Sequence, residues 1–204
     1  MKKIGIAIGC LLVVFAAYRF LSPSGHNIKN AASTGKTIIC FGDSLTYGTG
    51  AGKGMDYPAQ LARLIGRPVV NLGVPGDTTA GALARIDTVL AQEPRMVLLT
   101  LGGNDLKNRV PKETAFKNLE RIIQTIQGRG ALVVVGGIDI PFYGRGFGTA
   151  YEDLAVQTGS VLIPNVFADI MGRSSLMSDP IHPNSEGYTI MAGHFYKAIK
   201  PYLK

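Results

Sequence analysis

The sequence predicts an α/β protein, a three-layer α/β/α domain built on a five-stranded parallel sheet of the flavodoxin-like kind. Three observations carry this expectation. Five short apolar runs, partly β-branched, recur at Thr37–Phe41, Pro68–Leu72, Met96–Leu101, Ala131–Val135 and Ser160–Ile163. Helical patterns lie between them, at Tyr57–Ile65, Thr78–Ala91, Lys112–Gln127 and Thr149–Thr158, with a last one at Ser185–Leu203. Strands separated by helices pair in parallel through right-handed crossovers, and the crossovers cover both sheet faces.

In chain order, the first element stands apart from this fold. Met1-Lys2-Lys3 precedes Ile4–Tyr18, fifteen residues without a charge, and then Arg19-Phe20-Leu21-Ser22-Pro23. The run is long for the apolar part of a signal peptide and short of the ~20 residues that span a bilayer. Residues 1–25 are therefore read as an export signal or an uncleaved anchor, with residues 4–21 in the membrane in the second case. A cleavage point after Ala16 is poor, and Gly9-Cys10 comes too soon after the lysines to be a lipoprotein site. The paired lysines favour an N-terminus on the cytoplasmic side and an exported body. Residues 26–35, polar and small, read as a linker, and 36–204 as one domain, expected to be a monomer.

Thr37–Phe41, the first strand, ends at a Gly-Asp-Ser turn. In the helix over 112–127, Phe116, Leu119, Ile122, Ile123 and Ile126 share one face while Lys117, Glu120 and Arg121 fall elsewhere. In such sheets a ligand site lies beyond the carboxyl ends of the strands. The segments to inspect are thus Asp43 and Ser44, Gly73–Thr79, Gly102–Asp105 and Gly136–Tyr143.

Charge excludes one function class. Of the net +7, the first 30 residues contribute four bases and no acid, leaving 17 bases against 14 acids, or +3. The later bases are scattered along the sequence, as on a solvated surface, and no nucleic-acid footprint is expected. Cys10 and Cys40 lie in an apolar run and a strand, so no disulfide is expected between them. His26 and His194 lack acidic neighbours at ligand spacing, so neither a metal nor any other cofactor is expected, and His194 reads as a packing or surface residue.

Serine chemistry needs a nucleophile, a base, an acid orienting the base, and donors for the oxyanion. Ser44 follows the first strand on a tight turn. Asp179-Pro180-Ile181-His182-Pro183-Asn184 sets an acid and a histidine three apart in a loop stiffened by prolines. Gly48–Gly54 superficially suggests a phosphate loop, but Tyr47 stands where a glycine is needed and neither Ser nor Thr follows Lys53; it reads as a flexible loop beside the nucleophile. Nor is Ser44 an α/β-hydrolase elbow, because Thr46 occupies the second glycine's place.

FGDSLTYGTG at 41–50, NLGVPGDTT at 71–79, GGND at 102–105 and DPIHPN at 179–184 resemble, in order, the four signature blocks of the SGNH (GDSL) hydrolases. The likeness runs from residue 36 to the C-terminus and is strongest to the bacterial thioesterase, arylesterase and lysophospholipase branch. The resemblance implies Ser44 as nucleophile and first oxyanion donor, Gly76 and Asn104 as the other donors, His182 as base then acid, and Asp179 as its orienter. It implies loop-bracing roles for Asp43 and Asp105, outside the triad. The family often has tryptophan where this chain has Tyr57 before Pro58, and tyrosine should pack similarly.

The function expected is hydrolysis of small-molecule or lipid carboxylic esters or thioesters through an acyl-Ser44 intermediate. Two alternatives stand beside it: a carbohydrate O-acetylesterase acting on cell-wall or surface glycan, and a membrane-tethered binding protein without catalysis. Pro141–Phe147 offers aromatics that either wall a pocket for longer acyl chains or anchor their own loop.

Overall fold

A computed structural model describes residues 26–140, 144 and 146–203. The expected signal or anchor at 1–25 and the aromatics Phe142 and Tyr143 lie outside the described residues. Five parallel strands, β1 (Thr37–Gly42), β2 (Val70–Gly73), β3 (Pro94–Thr100), β4 (Leu132–Gly136) and β5 (Val161–Ile163), form one sheet in the order β2-β1-β3-β4-β5. This is the doubly wound order expected, with its switch point between β1 and β3. Register follows from Phe41 opposite Leu72 on one side and Leu99 on the other. The inner strands β1, β3 and β4 are apolar at nearly every position because helices cover both faces, and Ile39, Phe41, Leu98, Leu99 and Val134 are fully buried.

The helices are α1 (Ser44–Tyr47), α2 (Tyr57–Ile65), α3 (Thr79–Ala84), α4 (Asp87–Leu90), α5 (Gly103–Lys107), α6 (Lys112–Gln127), α7 (Phe147–Thr158) and α8 (Ser185–Ile199). On one face α2 meets α8: Tyr57 stacks on Phe195 with ring centroids 4.7 Å apart, a contact that adds about 1 kcal/mol to the burial of the two rings. Gln60 donates to the Ser185 carbonyl and accepts from Thr189, tying the same two helices through polar groups. Tyr57 does the work expected of an aromatic before Pro58, and its hydroxyl also bonds Thr46. On the other face Asn118 of α6 donates to Thr79 of α3, and Phe116 of α6 packs edge-on against Phe147 and Tyr151 of α7. Phe147 is buried there, so this member of the aromatic loop anchors and does not wall a pocket.

Two elements differ from the expectation. The single helix expected over 78–91 is two, broken at Arg85-Ile86, because Arg85 turns its guanidinium inward to the strand ends. Nε donates to Asp77, Nη1 to the Leu72 carbonyl and Nη2 to the Gly42 carbonyl, and the group lies 4.3 Å over the Phe41 ring. Residues 26–30, expected as part of a linker, are bonded to the domain at the amino ends of the strands. Lys29 N donates to the Gly159 carbonyl, Asn30 Nδ2 donates to the Gln127 and Ala131 carbonyls, and His26 Nε2 lies 2.6 Å from the Ser160 carbonyl.

These bonds give a truncation test. Removing residues 1–25 should leave melting temperature and ester turnover unchanged. Extending the deletion to residue 35 should lower the melting temperature by several degrees, at roughly 4 °C or less per kcal/mol for a domain of this size, measured by circular dichroism.

Candidate active site

The carboxyl end of β1 is built for a sharp turn. A side chain at Gly42 would strike the Thr100 carbonyl and the Thr46 hydroxyl, and one at Gly73 would strike the Tyr47 backbone, so both glycines let α1 sit directly on the sheet. Asp43 caps α1 by accepting from Leu45 N at 3.0 Å, and Gly48 closes it in the left-handed region at φ 95°. Ser44 is the first residue of that single turn.

From the other end of the chain, the loop 177–184 is cross-braced. Ser178 N and Oγ both donate to the His182 carbonyl, and Asn184 N donates to the Leu176 carbonyl before its side chain caps α8. Asp179 folds back so that Oδ1 accepts the backbone N–H of Ile181 and of His182, each at 2.8 Å, while Oδ2 lies 2.6 Å from His182 Nδ1. His182 Nε2 then lies 3.0 Å from Ser44 Oγ, across 138 residues of sequence. Partial burial on its own would raise the Asp179 carboxyl. The His182 ring and the two backbone N–H groups outweigh it and hold the carboxyl below its ordinary value. Its side chain is 42% exposed, against 15% for His182.

The glycine-rich segment 48–54, expected to be a flexible loop, is bonded to the start of α8 and packs against this histidine loop. Tyr188 Oη donates to the Thr49 carbonyl, Gly52 N donates to Ser185 Oγ, and a side chain at Gly50 would collide with Ser178. It thereby locks the serine and histidine loops together.

Asn104 lies in α5, whose cap Gly102 takes φ 114°, where a side chain would also meet the Tyr151 hydroxyl. Its amide donates to the Asp77 carbonyl at 2.9 Å and at 3.4 Å to Asp43 Oδ2, so it is not a loose turn asparagine. Gly76 takes φ 82° in the turn that Asp77 N closes onto the Val74 carbonyl, the left-handed angle that favours glycine. It stands in the loop that follows β2 at the carboxyl end of the sheet. Asp105 is fully buried and accepts Thr79 N at 2.9 Å and Thr79 Oγ1 at 2.6 Å, bracing the loops after β2 and β3.

Asp43 is also buried. Burial pushes its carboxyl up to about 7; the Leu45 N–H works against the rise, and the neighbouring carboxylates of Asp77 and Asp105 add to it. Arg85 is the member of this network that sequence reasoning missed. It holds Asp77 at 2.7 Å while the Asp77 carbonyl holds Asn104. Nothing in its helical periodicity marks it, because its role depends on which strand ends lie beneath it.

A cavity of about 280 Å³ opens at this point. Ser44, Asn104 and His182 are among its walls, and the rest is mostly apolar: Leu45, Leu106, Ile138, Ile140, Phe167 and Ile181. The arrangement can deprotonate a serine hydroxyl beside a slot that accepts hydrocarbon.

Residues 40–190 match the model of the GDSL-like Lipase/Acylhydrolase family. Esterase TesA of Pseudomonas aeruginosa is 30% identical over 181 residues, covering 82% of this chain and 90% of that protein. The Escherichia coli protein named thioesterase 1/protease 1/lysophospholipase L1 is 32% identical over 180 residues, covering 83% of this chain and 86% of its own. The crystal structure of AlinE4, an SGNH-hydrolase family esterase, superposes with a TM-score of 0.66 at 33% identity, over 82% of this chain and 95% of that one.

Two predictions follow from the buried charges. Arg85→Met should cost about 3 kcal/mol in urea unfolding, because Asp77 would be left charged, mostly buried and unpaired. The Asp43 carboxyl is raised, so its contribution to stability is full below the unfolded-state value of 3.8 and is lost as pH rises through about 7. Urea midpoints should therefore fall between pH 4 and pH 8 in the wild type, by an amount worth roughly 4 kcal/mol, and change far less in Asp43→Asn, whose amide stays neutral and can still cap α1.

Proposed function

The chain belongs to the GDSL-like lipase/acylhydrolase family and is a serine-type carboxylic ester hydrolase, and on that premise we propose that Ser44, His182 and Asp179 form its catalytic triad. The observation that carries this is the unbroken line from Ser44 Oγ through the imidazole to Asp179, with steps of 3.0 and 2.6 Å. His182 Nε2 takes the serine proton as Ser44 Oγ attacks the ester carbonyl. Asp179 holds Nδ1–H and stabilises the imidazolium that results.

The oxyanion then needs donors at the start of α1 and in the loops after β2 and β3. Ser44 N, Gly76 N and the Asn104 amide are assigned there. To serve, Asn104 exchanges its long 3.4 Å bond to Asp43 for the substrate oxygen while the bond to Asp77 keeps it in place. Collapse expels the alcohol or thiol with the proton from His182, and water repeats the sequence on the acyl-Ser44 ester.

The apolar slot beside Ser44 supports an acyl chain of several carbons over acetyl alone, so esters with aliphatic acyl groups are the preferred substrates. The relatives' names extend the proposal to acyl thioesters and lysophospholipids. Action as a monomer is part of the same proposal. Export to the bacterial envelope, either with residues 1–25 removed or with residues 4–21 as an anchor, completes the proposal.

Ser44→Ala and His182→Ala should each abolish nearly all turnover of an aryl ester, and the double variant should be no worse than either, since the two act as a unit. A far worse double variant would sink the triad. Asp179→Asn against Asp105→Asn identifies the acid. In serine proteases the corresponding exchange costs about 10⁴-fold in kcat; the exposed Asp179 should cost about 10² to 10⁴, with the melting temperature unchanged. Asp105→Asn should instead lower the melting temperature, because the two Thr79 donors meet separate oxygens and one of these becomes an NH2 that cannot accept, and leave kcat of the folded enzyme near wild type. The reverse pattern would name Asp105 as the acid.

A further inference from the structure

The later bases, dispersed in the sequence, are gathered by the topology. The long helices α2, α6, α7 and α8 run antiparallel to the strands, so their C-termini and the strand starts fall at the same pole. Lys36 precedes β1, Arg67 lies between α2 and β2, Arg129 between α6 and β4, and Lys200 follows α8. Lys29 is held beside them through the Gly159 carbonyl at the end of α7. All five are exposed. Glu93 stands among them and is tied to Lys36 at 2.8 Å. Cations here also complement the helix C-termini.

The same pole is where the remaining chain leaves. His26 bonds the Ser160 carbonyl just before β5, and ahead of it stand residues 22–25 and the anchor expected at residues 4–21. Four residues reach at most about 14 Å fully extended. The catalytic cleft lies at the other end of the strands, and β3 alone, seven residues long, sets it roughly 23 Å away. A leash of that length is too short to reach the cleft end, so a chain anchored through residues 4–21 would keep its amino-end pole, and not its cleft, toward the membrane.

We propose that the amino-end pole, through Lys29, Lys36, Arg67, Arg129 and Lys200, rests on an anionic lipid surface while the N-terminal segment tethers the chain there. The cleft then faces the aqueous phase. Resting on the triad reading, this makes its substrates esters that reach it through water and not lipids still embedded beneath it. Phosphate headgroups match the charge, and each lysine or arginine near such a surface contributes roughly fivefold in affinity, an attraction that weakens with added salt.

The test is lysine acylation of the full chain in vesicles of phosphatidylcholine with and without phosphatidylglycerol, read by mass spectrometry. Lys29 and Lys200 should label at least about fivefold more slowly on the anionic vesicles, while Lys53 and Lys107, at the cleft end, label equally on both. Arg67→Glu with Arg129→Glu should remove that protection. Protection of Lys53 and Lys107 instead, or equal labelling of all four on both vesicles, overturns the proposal. So does equal protection by a short DNA duplex without lipid, which would make the pole a nucleic-acid surface. A cellular chain that begins after residue 25 and stays free of membranes also overturns it. Turnover of a water-soluble aryl ester, measured on the same vesicles, tests the triad alone, so the two readings fail separately.

Discussion

The packing of α8 against α2 is the constraint on which the rest of the site depends. Ser44 leaves the sheet at the first strand and His182 sits just before the last helix, 138 residues later. Their 3.0 Å separation is maintained by the Tyr57–Phe195 stack, by Gln60 reaching Ser185 and Thr189, and by the glycine segment pinned through Thr49 and Gly52. A shift of one helical turn along this contact would move His182 by about 5.4 Å, well out of hydrogen-bond reach of the serine. The chemistry therefore depends on packing between two helices that carry none of the reacting groups.

Charge around the cleft is divided by environment. Asp43 is enclosed and its carboxyl is pushed toward neutrality. Asp77 is charge-paired with Arg85, and Asp105 has its oxygens filled by Thr79. Asp179 alone of these lies on an open loop, and there three N–H donors favour its carboxylate. A carboxylate that must stabilise an imidazolium has to stay ionised, whereas carboxyls that brace loops need only accept hydrogen bonds. Burial sorts the two kinds.

Arg85 links that electrostatic arrangement to the fold. Its guanidinium donates to the carbonyls at the ends of β1 and β2 and to the Asp77 carboxylate, and so ties the strand ends to the residue whose carbonyl holds Asn104. The cost is the helix break at residue 85, which helical periodicity over 78–91 could not reveal. Propensity is local, and the preference of Arg85 for strand carbonyls exists only once those strands are neighbours.

The sequence alone determined the fold class, the strand and helix order, and the candidates Ser44, Gly76, Asn104, Asp179 and His182, because hydrophobic period, turn glycines and the four signature blocks are all local features. Asp43 and Asp105 stayed ambiguous in the sequence, where only the family resemblance pointed to loop bracing, and the structure gave each its partners. Only the tertiary structure decided which atoms those residues meet. It brought His182 to Ser44, gave Asn104 the Asp77 carbonyl, turned Arg85 inward, pinned the glycine segment and docked residues 26–30 on the domain. It also gathered at one pole lysines and arginines that look scattered along the chain. Each of these depends on groups far apart in sequence becoming neighbours, and that proximity is set by strand order and helix packing, which no short stretch of residues encodes.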